Sequence, residues 1–292
     1  MKATDTNLTS PAQLRALFAA HGFRPRKRLG RHFLIDRNVL DRVVASARLA
    51  ASDQVLEIGA GAGALTQKLA ETAKQVVAIE VDARLEVILR QMLAGRGEVE
   101  LVIGDALALD LGRWLKKGRW KVVANLPYYI TSPLIARLLE FRDNLSWLVL
   151  MMQEEVAERL LAAPGTKEYG SLSVLVQSYS QGARAAKVSR HCFYPEPEVD
   201  SSVVTLEMRA HPVAPEQLAP LFFRIVRAAF GRRRKMLPNA LASLSDLTSE
   251  ELAGVLAEAD IAPDRRGETL APEDFARLAA AWARALRESG KS

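Results

Sequence analysis

The stretch "VLEIGAGAGALT", from Val55 to Thr66, is the strongest indication of the fold in this sequence. A short apolar run leads into Gly59, Gly61 and Gly63, and a helical pattern follows from Ala64. Glycine lets a backbone turn tightly and approach a ligand without a Cβ in the way. The stretch therefore predicts a strand, a nucleotide-binding loop with Gly59 and Gly61 as ligand contacts, and a helix.

Glu80 is the candidate acidic partner of this loop. It ends the next apolar run, "QVVAIE", about 20 residues further on, where a carboxylate accepts hydrogen bonds from ribose hydroxyls. Taken as Gly59, Gly61 and Ala64, the loop also satisfies the dinucleotide fingerprint. The loop alone thus leaves open a dehydrogenase, a methyltransferase and a purely structural glycine turn.

Short apolar runs alternate with helical patterns around this loop, which is the rhythm of a parallel sheet flanked by helices. The predicted strands are "QVLEI", "QVVAIE", "VELVIGD", "KVVAN" and "SWLVLMM". The predicted helices cover residues 38–47, 64–73, 84–94, 133–141 and 154–161, after a first helix capped by Ser10 and ended by Gly22.

The end of the sheet region is marked by two further runs, "ARAAKVSR" and "SSVVTLEMR", which predict an antiparallel pair of strands at one edge. From Leu218 onward the sequence shows only helical periodicity. We therefore predict a Rossmann-like α/β domain over residues 1–212 and a small all-helical domain over residues 213–292.

The composition excludes several classes of protein. With 49% hydrophobic and 25% charged residues, the 292-residue chain is balanced as a soluble globular protein. Its longest apolar runs, such as Trp147 to Met152, are far shorter than the roughly 20 residues of a membrane span. The single cysteine, Cys192, excludes an internal disulfide, and the four histidines are too scattered for a metal site. We expect a cytoplasmic protein with no metal and no membrane partner.

Basic residues outnumber acidic ones, 40 to 34, which gives a formal charge of +6 and is compatible with a polyanionic partner. The excess is concentrated in "RPRKRLGR" and "RIVRAAFGRRRK". Solvated surface is the plain alternative for either run. The candidate RNA-binding residues are Arg26, Lys27, Arg28, Arg232, Arg233, Arg234 and Lys235.

A third acid, Asp105 in "VIGDAL", follows another predicted strand. Its carboxylate can receive the exocyclic amine of an adenine ring, although alone it is also a typical helix N-cap. In register after Gly59 and Glu80, it completes the contacts that S-adenosylmethionine needs at its amino-acid end, ribose and adenine. The sequence therefore favours S-adenosylmethionine as cofactor.

The stretch "ANLPYYITSP" places an amide, a proline and two tyrosines at the end of a strand. The lone pair of adenine N6 is delocalised, so the amine is a poor nucleophile. The Asn125 side-chain oxygen and the Leu126 carbonyl, held outward by Pro127, would each accept one N6 hydrogen and localise that pair. Tyr128 would stack on the base, which is worth roughly 1 to 3 kcal/mol. A turn with a buried tyrosine is the alternative.

Phe193, in the proline-rich loop "HCFYPEPEVD", is the candidate for a second aromatic contact. A base in folded RNA must be turned out of its stack, and it is gripped best from both sides. A lone aromatic residue is otherwise more often part of a core.

The sequence resembles the ribosomal RNA adenine dimethyltransferases, especially the bacterial branch that acts on small-subunit RNA. The likeness runs from about Arg26 to Leu278. "NLPY", "EVAERL" and "P-x-P-x-VDS" in this order are highly specific, whereas the glycine loop is not. The other matching segments are "KRLGRHFLID", "VLEIGAGAGALT", "IEVD", "GDAL", "YGSLSVLVQ", "AFGRRRKMLPNAL" and "RRGETLAPEDF".

The resemblance implies roles for particular residues. His32 and Leu34 would contact the cofactor, and Asn125 would lie beside the transferred methyl group. Gly59, Glu80 and Asp105 would bind the amino-acid end, the ribose and the adenine, and Tyr128 with Phe193 would hold the target base. The implied reaction is four methyl transfers to two adjacent adenines near the 3′ end of small-subunit RNA, with S-adenosylhomocysteine as product. The helical domain would dock the pre-30S subunit.

The sequence departs from the family pattern at several positions. Arg31 and Arg232 stand where the family usually has Gln, and Tyr129 replaces a frequent Asn. Met236 and Pro238 replace the usual Thr and Arg. The change at Arg31 concerns one cofactor or RNA contact, whereas those at Arg232, Met236 and Pro238 concern docking more than chemistry.

We therefore predict a monomeric class I, Rossmann-like S-adenosylmethionine-dependent methyltransferase that dimethylates adenine N6 in ribosomal RNA. One alternative is an antibiotic-resistance methylase acting on large-subunit RNA, and another is a mainly noncatalytic assembly factor. An NAD-dependent oxidoreductase would explain the glycine loop but leaves "NLPY" without a role.

Overall fold

The computed structural model describes residues 6–25, 32–232, 235–244 and 246–290. It divides into two compact units, the first comprising Met1–Ala157 with Ala183–Met208 and the second Glu158–Gly182 with Arg209–Ser292. The last of these boundaries lies close to the one predicted at residue 213. Residues 158–182 belong to the second unit, although the sequence-based division assigned them to the first.

The helices and strands follow each other as the sequence rhythm indicates. The strands are β1 Phe33–Leu34, β2 Gln54–Ile58, β3 Gln75–Glu80, β4 Val99–Ile103, β5 Trp120–Asn125, β6 Leu145–Gln153, β7 Ser180–Val188, β8 Phe193–Tyr194 and β9 Ser201–Met208. The helices are α1 Pro11–Ala20, α2 Arg37–Ser46, α3 Ala64–Ala70, α4 Glu86–Met92, α5 Gly112–Leu115, α6 Thr131–Leu139, α7 Glu154–Leu161, α8 Ser171–Tyr179, α9 Ala219–Gly231, α10 Leu237–Leu241, α11 Ser249–Glu258 and α12 Pro272–Glu288.

Seven strands form one sheet in the order β4-β3-β2-β5-β6-β9-β7. The pairs from β4 to β6 are parallel, and β9 runs antiparallel to β6. The predicted Rossmann-like α/β sheet is thereby confirmed, with β9 and β7 at the predicted edge. The inner parallel strands β2, β3 and β5 are mostly buried on both faces, which explains their nearly continuous apolar sequences, whereas β4 at the edge is half-buried.

A second, two-stranded sheet pairs β1 with β8, with Phe33 opposite Tyr194 and Leu34 opposite Phe193. These strands were not predicted, because a strand of only two residues has no recognisable sequence pattern. The pairing connects the segment before α2 to the proline-rich loop.

Helix α1 shows how the local sequence fixes an element. The Ser10 hydroxyl accepts a hydrogen bond from the Gln13 N–H, Pro11 occupies the first turn, and Gly22 beyond the end has φ +62°. Its apolar face contributes Leu14 and Phe18 to the core of the first unit.

The second unit has a helical core built around Phe222, Phe275 and Trp282. Tyr169 and Val174 are buried in the same core, and the Tyr169 hydroxyl donates to the Leu270 carbonyl at 2.8 Å. These contacts explain why residues 158–182 belong to this unit. Among the helices described, none is long and apolar enough to cross a bilayer.

Candidate active site

The candidate site lies where neighbouring parallel strands end. Gly59 follows β2, Glu80 ends β3, Asp105 follows β4 and Asn125 ends β5. These strands are adjacent in the sheet, and ligands of open α/β sheets bind outside the carboxyl ends of the strands. One cavity of about 1210 Å³, counting its open mouth, is lined by the predicted residues His32, Leu34, Gly59, Gly61, Glu80, Asp105, Asn125, Leu126, Pro127 and Tyr128.

The glycine loop packs so closely that side chains would not fit. Gly59 has φ +85°, and a Cβ there would lie 2.9 Å from the carbonyl oxygen of Asn125. Gly61 has φ +60°, and its Cβ would lie 3.3 Å from the ring of Phe33. The loop thus presents backbone to the cavity, as a nucleotide cofactor requires.

Glu80 is oriented by backbone hydrogen bonds. Its Oε2 accepts from the Gly61 N–H at 2.8 Å, and its Oε1 accepts from the Asp82 N–H at 2.9 Å. The residue is only 5% exposed but lines the cavity. Its carboxylate is therefore held beside the glycine loop. Its spacing from the loop in the sequence is also the one at which an acidic residue binds a ribose.

Asp105 is exposed and lines the same cavity. Its Oδ1 accepts a hydrogen bond from the Leu107 N–H at 2.9 Å. Asp105 is not a helix N-cap, because the next helix begins only at Gly112; this bond forms an Asx turn that holds the carboxylate at the rim of the cavity.

Asn125 is oriented by one hydrogen bond, which its Nδ2 donates to the His32 carbonyl at 3.1 Å. This bond uses the donor end of the amide. Within the described part of the chain, neither its Oδ1 nor the Leu126 carbonyl accepts a hydrogen bond. Two acceptors with unused capacity therefore adjoin each other at the end of β5.

Tyr128 is half-buried and is held at both ends of its side chain. Its hydroxyl lies 2.8 Å from Ser201 Oγ, and its ring stacks on the imidazole of His32. The His32 Nδ1 lies 2.7 Å from the Pro195 carbonyl. Burial raises the pKa of the Tyr128 hydroxyl, although its bond to Ser201 partly offsets this.

Phe193 is not brought into this cavity. Its side chain is 3% exposed and belongs to the hydrophobic core of the first unit, and β8 pairs it with Leu34. A base could therefore stack on Phe193 only after the core packing around its ring had changed.

The basic candidates are placed only in part. Arg232 and Lys235 are exposed after α9. Arg26, Lys27, Arg28, Arg233 and Arg234 lie outside the described residues.

Sequence reasoning missed three residues around the site. Ser201 bonds to Tyr128 although it was read only as the start of a strand. Tyr129 is 63% exposed and lines the cavity, and its aromatic type beside Tyr128 was the signal. Glu57, in β2, is fully buried, and the polar group that faces its carboxylate is the Thr66 hydroxyl, at less than full hydrogen-bond geometry. Burial raises the pKa of Glu57 to about 8; the Thr66 hydroxyl partly offsets this rise, and the charge of Glu80 adds to it.

No group of three metal-ligating side chains occurs within residues 6–25, 32–232, 235–244 and 246–290. The residues of the cavity instead fit a nucleotide-like cofactor, since a glycine loop that a Cβ would obstruct is followed along the neighbouring strand ends by two carboxylates, Glu80 and then Asp105.

Comparison with known proteins points in the same direction. The family model for ribosomal RNA adenine dimethylase matches residues 22–283. The chain is 47% identical over 281 residues to the ribosomal RNA small subunit methyltransferase A of Moorella thermoacetica, covering 93% of this chain and 97% of that protein. It is 41% identical over 275 residues to the protein of that name from Clostridioides difficile, covering 93% of this chain and 95% of that protein.

Two solved structures share the fold. A dimethyladenosine transferase from Plasmodium falciparum matches with a TM-score of 0.73 and 28% identity, over 86% of this chain and 98% of that one. The 23S rRNA methyltransferase ErmE matches with a TM-score of 0.68 and 27% identity, over 85% and 98%. At these identities and TM-scores, the Rossmann-like fold predicted for this chain is the one found in these two transferases.

Proposed function

Because the chain belongs to the ribosomal RNA adenine dimethylase family, we propose that it dimethylates N6 of two adjacent adenines near the 3′ end of small-subunit (16S) ribosomal RNA. The observation that carries this proposal is the pair of acceptors, Asn125 Oδ1 and the Leu126 carbonyl, beside Tyr128 in the same cavity as the glycine loop. S-adenosylmethionine, when bound, supplies a sulfonium methyl group that is already activated for transfer.

We assign cofactor binding to the residues at the ends of β2, β3 and β4. Backbone at Gly59 and Gly61 would contact the amino-acid end, Glu80 the ribose hydroxyls and Asp105 the adenine amine. This assignment is supported by the close packing of the loop and by the two backbone hydrogen bonds that orient Glu80. His32 and Leu34 would cover the cofactor from the other side of the cavity.

In the reaction, Asn125 Oδ1 and the Leu126 carbonyl would each accept one N6 hydrogen of the target adenine. Directing the hydrogens to these acceptors localises the lone pair on nitrogen and stabilises the positive charge that develops there. The adjoining Pro127 restricts the backbone that holds the carbonyl outward. No strong general base is needed, because the proton of the methylated amine is acidic enough to pass to water.

The second methyl transfer places a weaker demand on the site. A monomethylated adenine has one N6 hydrogen, so one of the two acceptors suffices to orient it. The acceptor that no longer receives a hydrogen leaves space on its side of N6. The first methyl group can turn into that space, away from the incoming second methyl group.

We propose that Tyr128 stacks on the target base through the ring face that His32 does not cover. Phe193 remains the proposed second contact, and its burial means that the core packing around its ring would have to change for it to take this role. Stacking, worth roughly 1 to 3 kcal/mol per base, would offset only part of the cost of taking Phe193 out of the core.

The relatives favour the small subunit over the large one as substrate. Those at 41% to 47% identity are named as small-subunit enzymes, whereas the ErmE structure is 27% identical. Because Gly59, Glu80, Asp105 and Asn125 are all present in one cavity, an assembly factor without catalysis is not favoured.

The partner and setting follow as proposals from this substrate. We propose that a monomer acts in the cytoplasm on the pre-30S subunit during its biogenesis. The helical second unit would dock this subunit, with Arg232 and Lys235 as exposed phosphate contacts.

The test is methyl transfer from tritiated S-adenosylmethionine to undermethylated small subunits, followed by nucleoside analysis. N6,N6-dimethyladenosine should form with these subunits and not with mature small subunits. Label on large-subunit RNA would instead support the resistance-type activity. Tight subunit binding without label would support the assembly-factor role.

A further inference from the structure

Tyr129 is an exposed aromatic residue at the mouth of the active cavity. It is 63% exposed and lines the cavity together with Tyr128. Within the described part of the chain, its hydroxyl has no hydrogen-bond partner and its ring contacts no other ring or cation. Single exposed apolar residues are common on protein surfaces, but this one adjoins the catalytic turn.

The two tyrosines cannot serve the same base. They are consecutive in the 3₁₀ turn Tyr128–Ile130, in which successive side chains are rotated by about 120°. Tyr128 is tied to Ser201 and His32, whereas the ring of Tyr129 is open to solvent. A base bound against Tyr128 therefore leaves Tyr129 available to another nucleotide.

We propose that Tyr129 is a stacking platform for the nucleobase that adjoins the target adenine in the RNA strand. This inference rests on the proposed function, because it requires an RNA substrate whose target base is turned out of its stack. Turning one base out deprives its neighbour of a stacking partner, and an aromatic face restores that contact. Any base has a π-face, so the platform would act on the geometry of the strand rather than on its sequence.

The test compares Tyr129→Ala with Tyr129→Phe, which keeps the ring. The substrates are undermethylated small subunits assembled with a synthetic 3′ RNA segment, either intact or lacking the base on the 5′ or the 3′ side of one target adenine. Methylation of that adenine is followed at its position. On the intact substrate, Tyr129→Ala should lower kcat/KM about five- to 150-fold, and Tyr129→Phe should change it less than about twofold.

The abasic substrates identify the contact. On the substrate that lacks the stacked base, kcat/KM of the unaltered protein should fall to the value that Tyr129→Ala has on the intact substrate. The kcat/KM of Tyr129→Ala itself should be the same on both substrates. The proposal is overturned if Tyr129→Ala has full activity, or if both proteins lose the same factor on each abasic substrate. It is also overturned if the variant's affinity for S-adenosylmethionine falls in parallel. By contrast, an absence of methyl transfer by the unaltered protein on intact subunits would overturn the proposed function itself.

Discussion

The imidazole of His32 stacks on the ring of Tyr128, with ring centroids 5.4 Å apart and planes inclined by 26°. Each ring is also fixed by a polar contact, His32 to the Pro195 carbonyl and Tyr128 to Ser201. One face of the tyrosine is thus occupied by protein, and its orientation is set before any base arrives. Pre-set contacts reduce the ordering that substrate binding would otherwise require.

Two substitutions of Tyr128 should distinguish the contribution of its ring from that of its hydroxyl group. Tyr128→Ala removes the stacking face and should lower kcat/KM for the RNA about five- to 150-fold. Tyr128→Phe loses only the bond to Ser201, worth about 0.5 to 1.5 kcal/mol, and should lose about two- to tenfold. Ser201→Ala is the matched control, and the double variant should be no worse than either single one. Equal losses for Phe and Ala would contradict stacking.

Asn125→Ala should suppress methyl transfer while leaving cofactor affinity nearly unchanged. The variant removes one of two acceptors for the N6 hydrogens, and loss of one such contact typically costs about 10²- to 10³-fold in kcat. Single-turnover methylation gives the rate, and calorimetric titration with S-adenosylmethionine gives the affinity. The side chain also donates to the His32 carbonyl, so the melting temperature is measured as a control. A collapse of cofactor binding equal to that of turnover would show that the amide serves the cofactor instead.

Phe193 is best tested by a substitution that keeps the core filled. Phe193→Ala should cost about 3 to 5 kcal/mol of stability, because the side chain is buried. Phe193→Leu keeps an apolar side chain there and should cost less than about 2 kcal/mol. If Phe193 contacts the base during turnover, Phe193→Leu should still lower kcat/KM about five- to 150-fold. Unchanged kinetics in a folded Leu variant would restrict Phe193 to the core.

Elements with a strong local pattern were predictable from sequence. The bounds of β2, β3 and α7 agree with the runs that predicted them. Helix α8 was missed because its residues, including the serines Ser173 and Ser178, are mostly buried, so the segment has no polar face with helical periodicity. Strands β1 and β8 exist only through their pairing, which no local pattern encodes.

In the candidate site, too, positions that depend on local sequence pattern were predictable, whereas positions that depend on tertiary packing were not. Gly59, Glu80, Asp105 and Asn125 follow strands, and the parallel sheet brings them together once the strands are assigned. Phe193 belongs to a recognisable motif, yet its burial depends on tertiary packing in the core and was not predictable. Ser201 likewise reaches Tyr128 only through the antiparallel placement of β9.

Alanine substitutions at two glycines can separate the cost of a left-handed backbone from the effect of steric obstruction in the glycine loop. Gly59→Ala places a Cβ 2.9 Å from the Asn125 carbonyl at φ +85°. Gly95 is the matched control, since it has φ +81° and no atom within 4 Å of a Cβ. Both variants should lose about 1 to 2 kcal/mol through the left-handed backbone. Only Gly59→Ala should also lose cofactor affinity and turnover, and an equal loss of affinity in both would contradict the loop contact.

Glu57 should make the stability of the protein depend on pH. Burial raises the pKa of its carboxyl from 4.5 to about 8. Below pH 4.5 the folded and unfolded states both hold the proton. As the pH rises from there to about 8, the unfolded state has released the proton while the folded state retains it, so stability falls. The free energy of unfolding falls by about 1.4 kcal/mol per pH unit, and this fall ends once the pH exceeds the pKa of Glu57 in the folded state.

Glu57→Gln isolates this contribution because it keeps the size of the side chain and removes the titration. Between about pH 6 and pH 7.5, the unaltered protein should lose about 2 kcal/mol of unfolding free energy relative to the variant. Urea unfolding at both pH values measures this difference, and all other titrating groups are shared. Parallel pH profiles for the two proteins would mean that the carboxyl is already ionised when folded. Saturating S-adenosylmethionine should leave the difference in place, because Glu57 is buried and is not among the residues that line the cavity.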